Sequence, residues 1–247
     1  MAELDRHALR HKRVIEDFLG ELNKKTDQYV LKGGTALMIC YKLDRFSEDI
    51  DLDCKNRNKD ILKHISDFSE KRGYDVRIAK DTDTVKRAFV HYGGKRPLKI
   101  ETSFRRAYIA EDEVNKIKGI EVYTIDRLAE LKSSAYTGRD KIRDLYDVTF
   151  ICNNYFDKLS ENAKRSIRDA LEYKGLDQFD YIANNQKDEL IDENRLAEGF
   201  LNAFDKIGLL NTVEEKENFV RENIKSHGID RTKRSFEIEH SDDEYEY

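Results

Sequence analysis

The sequence predicts an α+β fold in two parts: a mixed strand-and-helix region over residues 1–155, then an all-helical bundle over residues 156–247. Three observations predict it. Short apolar runs of strand character lie within the first 104 residues. From about residue 158 to 227 every long segment is helix-like, RLAEGFLNAFDKIGLL among them. The 247 residues include one proline and 12 glycines, few breakers for that length, which favours helices joined by short loops.

Each element has its own warrant. Residues 3–25 read as an amphipathic helix with Leu9, Ile15, Phe18, Leu19 and Leu22 on its apolar face. QYVLK (28–32) is a short strand that stops at Gly33-Gly34, where Thr35 is placed to cap the helix TALMICYKL. After the loop DRFSE, the run DIDLDC alternates acidic and apolar residues, as a strand with two unlike faces does. Residues 58–72 read as a helix. Residues 74–79, 84–92 and 97–104 then read as a meander of strands with a hairpin turn at Gly93-Gly94. Thr124 is an N-cap for a helix to about 136, and a second helix follows from about 140 to 153. The C-terminal SDDEYEY is acidic and expected to fray.

Composition narrows the function classes. Charged and hydrophobic residues are each 38%, and 12 Phe and 13 Tyr are spread along the chain, enough apolar material for a core. No apolar run approaches the roughly 18 residues that span a bilayer. The N-terminus is charged and lacks an apolar signal core, so secretion by that route is not expected. Three cysteines, none at CxxC spacing, argue against a disulfide scaffold or zinc ribbon and fit a reducing cytoplasm. The net charge of −5 gives no global attraction to nucleic acid, so an RNA partner would need a local basic surface. Candidates are Lys24-Lys25, Lys95-Arg96 with Lys99, Arg105-Arg106, and Arg139, Lys141 and Arg143, beside Phe89, Tyr92, Phe104 and Tyr108. The competing reading is solvated loop charge.

The most informative segment is LKGGTALMICYKLDRFSEDIDLDC. On a strand, Asp49, Asp51 and Asp53 share one face and Ile50 and Leu52 the other. Like charges about 5–7 Å apart repel by roughly 2–3 kcal/mol at an effective dielectric of about 20. A hard divalent cation, Mg²⁺ or Mn²⁺, would offset this and bind substrate phosphates. The alternative is an edge strand with its acids facing water. Gly33, Gly34 and Thr35, at a strand-to-helix turn, allow close backbone approach and offer free N–H groups to a phosphate. Lys32, Arg45 and Ser47 add cations and a hydroxyl nearby. The alternative is an ordinary capped turn, and the run is not a P-loop because no GK[ST] follows. In PLKIETSF, Lys99, Glu101 and Ser103 share a face, and Glu101 could complete a metal site and help draw a proton from an attacking hydroxyl. His64 and His91 are isolated and His7/His11 lack further ligands, so these are expected on the surface. Cys40, with no nearby His, reads as core.

The run KGGTAL…RFSEDIDLD resembles the nucleotidyltransferase motif of the AbiEii toxins, the toxin half of type IV toxin–antitoxin systems, within the DNA polymerase beta superfamily. IDRLAELKSSAYTGRDKIRDLYDVTFI resembles the family's later motif, a Lys on one helix followed by R-D-x-x-D on the next. The resemblance covers about residues 28–152. It implies a polymerase-beta-like mixed sheet, metal ligation by Asp49 and Asp51, and a third ligand at Glu101. It implies triphosphate contacts by Gly34, Thr35, Ser47 and Lys32. It carries over Lys132, to neutralise charge on the leaving pyrophosphate, and Asp147, to orient that Lys or to meet the base. On the helix, Arg143, Asp144 and Asp147 share a face; an ion-pair ladder is the alternative there. The implied activity is Mg²⁺-dependent transfer of a nucleoside monophosphate from an NTP to an RNA or tRNA 3′ end or a protein, opposed by an antitoxin. The rivals are a small-molecule nucleotidyltransferase of the antibiotic-modifying type and an inactive nucleotide- or RNA-binding module. Whether Asp53 joins the site stays open.

Overall fold

The computed structural model describes residues 6–210, apart from residues 57 and 107. Helix α1 (Arg6–Lys25) leads into strand β1 (Tyr29–Lys32), helix α2 (Gly33–Cys40), strand β2 (Ile50–Cys54) and helix α3 (Ile61–Glu70). Strands β3 (Asp75–Asp81), β4 (Val85–His91) and β5 (Leu98–Ser103) follow, then β6 (Val114–Ile117) and β7 (Ile120–Tyr123). Helices α4 (Ile125–Gly138), α5 (Ile142–Tyr155), α6 (Glu161–Asn185) and α7 (Glu193–Lys206) complete the described chain. The frayed tail SDDEYEY and the helical reading beyond residue 210 lie outside the described residues.

The class is α+β. One mixed sheet runs in the order β3-β4-β5-β2-β1-β7-β6. The expected meander β3-β4-β5 is antiparallel throughout. Strand β2 lies between β5 and β1, parallel to the first and antiparallel to the second, and β1 is parallel to β7. This insertion places the acidic strand at the centre of the sheet, not at a solvated edge. Val14, Ile15, Phe18, Leu19 and Leu22 of α1 are buried, a helical stripe that packs with α3. The buried cluster continues without a break into Ile167, Leu171, Phe179 and Phe200 of α6 and α7. Helix α6 changes direction at Gly175, whose φ of 65° suits glycine.

Several expectations are corrected. Leu9 is 45% exposed and does not belong to the apolar stripe. His11 is buried, not on the surface: Nδ1 lies 2.5 Å from the Tyr92 hydroxyl and Nε2 2.7 Å from the Glu48 carbonyl. Thr35 does not cap α2, because the helix starts directly after β1 with Lys32 as its N-cap residue. The hairpin β6–β7 was not anticipated. Its two-residue turn, Lys118-Gly119, has φ of 52° and 79°, the mirror-image turn that matches strand twist. Thr124, by contrast, does cap α4, accepting from the Arg127 N–H at 3.3 Å.

Candidate active site

Strand register builds the first half of the site. Across four adjacent strands the partners are Arg87↔Glu101, Glu101↔Asp51 and Asp51↔Lys32. Side chains that face each other in this way stand about 5 Å apart. The rung therefore carries two cations outside and two carboxylates inside. Arg87 Nε bonds Glu101 Oε2 at 2.6 Å. Lys99 Nζ bonds Asp49 Oδ2 at 2.5 Å, just before β2 begins. Lys32 Nζ turns to Asp53 Oδ1 at 2.5 Å, and the Tyr123 hydroxyl donates to Asp53 Oδ2 at 2.8 Å. Asp53 is thus buried and satisfied; it anchors Lys32.

Asp51 is the exception. Among the described residues no hydrogen bond or ion pair reaches its carboxylate. Burial pushes its pKa up, and the charges of Asp49 and Glu101 push the same way against the pull of Lys99 and Lys32. Lys99 is held above the ordinary lysine range: burial disfavours its charge, but the bond to Asp49 and the fields of Asp51 and Glu101 prevail. Among the described residues no three acidic, His or Cys side chains already converge as a metal cage. The reason is visible, since Asp49 and Glu101 are turned onto Lys99 and Arg87. The donor set nevertheless suits a hard divalent ion, because it offers only carboxylate oxygens and leaves one half-buried carboxylate without a counter-charge.

The turn at the start of α2 brings backbone against this rung. Gly33 has a φ of 76°, and a Cβ built there would lie 3.0 Å from Asp51 Oδ2. A Cβ on Gly34 would lie 2.8 Å from both Arg45 Nη2 and Ser47 Oγ. Both positions need glycine, one for conformation and close approach, the other for close approach alone. Thr35 and Ser47 are buried; Thr35 Oγ1 lies 3.0 Å from Ser47 Oγ and also bonds the Asp49 carbonyl. These hydroxyls tie α2 to the residue that opens the acidic strand.

The later motif forms the second half. Arg45, 5% exposed, grips Asp147 through Nε–Oδ1 at 2.8 Å and Nη2–Oδ2 at 2.7 Å, and its Nη1 donates to the Phe46 carbonyl at 3.0 Å. Lys132 Nζ lies 2.7 Å from Asp147 Oδ2 and 3.6 Å from Asp144 Oδ1. Arg139 closes the network on Asp144 at 2.6 Å. Burial would raise the Asp147 pKa, but Lys132 and Arg45 hold it below the carboxylate range. The structure thus brings Gly34, Arg45, Ser47, Lys132 and Asp147 together, 102 residues separating Arg45 from Asp147. Arg139 also feels the charge of Asp51, and Arg143 that of Asp49, which sets this network beside the acidic rung.

The sequence places Lys99 and Arg139 on a candidate RNA surface and Asp144 on the face of the later-motif helix, not in the active site, and does not single out Arg87. Lys99 carried a signal, its shared face with Glu101. The basic-aromatic surface is corrected in part: Tyr92 and Phe104 are buried, and Arg96, Arg106 and Arg143 pair with Glu48, Glu113 and Asp188. Tyr108 is exposed, and Arg77 stacks 4.5 Å from the ring centre of Phe89.

A family model described as nucleotidyl transferase AbiEii toxin, type IV TA system, matches residues 17–240. The chain belongs to the AbiEii nucleotidyltransferase toxin family. It is a nucleotidyltransferase. Among solved structures, JHP933 from Helicobacter pylori is similar at 27% identity and a TM-score of 0.69, covering 92% of this chain and 99% of that one. A candidate nucleotidyltransferase from H. pylori is similar at 28% identity and a TM-score of 0.69, covering 88% and 98%. The nucleotidyltransferase toxin MenT4 from Mycobacterium tuberculosis is more distant, at 15% identity and a TM-score of 0.48 over 95% of each chain. No curated protein matches. Among the described residues of this AbiEii-family chain, no helix is long and apolar enough to cross a membrane.

Proposed function

We propose that this AbiEii-family enzyme transfers a nucleoside monophosphate from an NTP to an acceptor, with pyrophosphate leaving, and that it needs Mg²⁺ or Mn²⁺. The observation that carries the reading is Asp51, half-buried between Asp49 and Glu101 with no counter-charge of its own. Asp49, Asp51 and Glu101 would hold the divalent ion, which when bound supplies charge neutralisation and polarises the α-phosphate. The other steps belong to the chain itself. Gly33 and Gly34 let the N-terminus of α2 lie close to phosphate oxygens. Asp147 orients Lys132, whose ammonium answers the charge developing on pyrophosphate. Arg45 and Ser47 support that geometry through Asp147 and Gly34, with Thr35 and Lys32 fixing the flanks of the acidic strand. Glu101, braced by Arg87, would also help draw a proton from the acceptor hydroxyl.

The acceptor in this reading is an RNA or tRNA 3′ end or a protein side chain, and the type IV toxin–antitoxin family supports an antitoxin as partner. Three free cysteines, two of them buried, fit a cytoplasmic setting. We read residues 1–155 as the catalytic unit and 156–247 as a unit that docks the acceptor; among the described residues α6 and α7 lie against α4 and α5, which carry the later motif. The test is transfer of α-labelled NTP to total RNA with Mg²⁺, comparing the protein with Asp49→Asn. Label on RNA 3′ ends that falls by about 10³-fold in the variant supports the reading. Equal labelling by both proteins removes Asp49 from the site, and label on protein alone selects the other acceptor.

A further inference from the structure

Of the three cations that bear on the acidic cluster, Lys99 is the one whose carboxylate partner is most exposed. Its side chain is 28% exposed and its partner Asp49 is 43% exposed. The other two cations differ. Arg87 meets Glu101 through two nitrogens of a rigid fork, Nε and Nη2, each 2.6 Å from Oε2. Lys32 holds a carboxylate that is only 4% exposed and that Tyr123 also bonds. Lys99 has instead a compact ammonium on a flexible stem, which reorients at little cost. A pair whose carboxylate is solvent-accessible, as Asp49 is, contributes little to stability and exchanges easily.

Charge then sets a conflict. Three carboxylates, Asp49, Asp51 and Glu101, face two cations, Lys99 and Arg87, which leaves one negative charge. Carboxylate-to-divalent distances are about 2.1 Å, so an ion on Asp49 would stand within several ångströms of Lys99 and be repelled by it. The repulsion ends when Lys99 moves to a new anion, and an incoming triphosphate is the strongest one available.

We propose that Lys99 is an exchangeable counter-ion: it occupies Asp49 while the site is empty and passes to substrate phosphate when Asp49 takes a divalent ion. It thereby couples ion binding to nucleotide binding and disfavours loading of the ion alone. Lys99 acts first as a positioning residue and then as a phosphate contact. The inference rests on the nucleotidyltransferase reading of the acidic rung.

The test is Mn²⁺ binding to the full chain, by calorimetry and by electron paramagnetic resonance of free Mn²⁺, for the protein, Lys99→Met and Lys99→Gln. Each is measured with and without a non-hydrolysable NTP analogue. Thermal melts establish that the variants fold. Without nucleotide, both variants are expected to bind Mn²⁺ about 10-fold more tightly than the unmodified protein. With the analogue present, the gain in Mn²⁺ affinity that nucleotide brings is expected to shrink by about the same factor. If the unmodified protein binds Mn²⁺ and the variants bind it no more tightly, Lys99 is an ordinary surface partner and the proposal is overturned alone. If the unmodified protein binds neither Mn²⁺ nor the analogue, the reading of the rung fails and takes the proposal with it.

Discussion

Two charge clusters flank the Gly33-Gly34 turn, and their charges are answered to different degrees. In the buried network both oxygens of Asp147 are gripped by Arg45, Lys132 adds a third contact, and Arg139 closes on Asp144. In the acidic rung Asp49 and Glu101 have one cation each and Asp51 has none. Burying a charge is tolerable only when it is paired and hydrogen-bonded, so a fully answered network can bear structure. A half-open cluster with one charge unanswered is poised for a ligand. The difference separates residues that hold the site together from residues that act within it, although both groups are charged and neighbours; Lys132, held by Asp147 and Asp144, is the one member of the network that we also propose to act on the substrate.

The most severe way to break this comparison is to remove the anion at the centre of the buried network. Asp147→Asn leaves Arg45 and Lys132 facing an uncharged partner in a dry environment. A buried pair broken on one side costs about 3–5 kcal/mol. At this chain length that lowers the melting temperature by roughly 10 °C. A drop of less than about 2 °C by calorimetry would show that the network is not structural.

Asp51→Asn sharpens the contrast from the other side. Turnover is expected to fall by about 10³-fold, equivalent to about 4 kcal/mol, because a residue that would hold the ion is lost. The melting temperature should hold or rise, since an uncompensated carboxylate has been removed. A variant that is both inactive and strongly destabilised would place Asp51 with the scaffold instead.

Gly34→Ala tests the seam between the clusters. The added methyl would press on Arg45 Nη2 and Ser47 Oγ, each 2.8 Å from its position. Overpacking of this kind costs about 1–3 kcal/mol. Because the clash pushes on the partner of Asp147, turnover should fall as well. Retained stability and activity would mean that Arg45 is free to move aside.

How legible these features were depends on how local their causes are. Strands β2, β4 and β5 show in the sequence because alternation over five to seven residues is a local pattern, and β1 because a short apolar run stops at Gly33-Gly34. The shared face of Asp49 and Asp51 follows from that period alone, whereas Glu101 meets Asp51 only through the register of β2 and β5. Hairpin β6–β7 escaped because its turn puts a lysine, Lys118, at positive φ, which propensity disfavours. Thr35 was misread because capping rules look to the nearest hydroxyl, whereas this hydroxyl serves a loop 14 residues away. Arg45 could be placed near the site by sequence proximity, but not its burial, since its partner lies on α5. Lys99 and Arg87 became visible only with strand register, which fixes who faces whom.

The smallest expected effect is a pH dependence that the two clusters give with opposite signs. Asp147 has its pKa depressed in the fold, so it contributes stability above the ordinary carboxylate range. That contribution is lost as pH falls through the depressed value. Asp51 has its pKa raised above 3.8, so the folded state holds a proton that the unfolded state has released. Stability from this group therefore declines as pH rises from 3.8 through the raised value, and the decline is complete beyond it. Asp51→Asn cannot titrate and lacks that decline. In melts from acid to neutral pH without divalent ions, the variant should gain on the unmodified protein as pH rises, by on the order of 1–2 °C. Adding Mn²⁺ at neutral pH should then stabilise only the unmodified protein, because the cation supplies the counter-charge that the chain withholds from Asp51. Parallel melting curves across the range, with and without the ion, would show that Asp51 carries no excess charge and that the two clusters do not differ in kind.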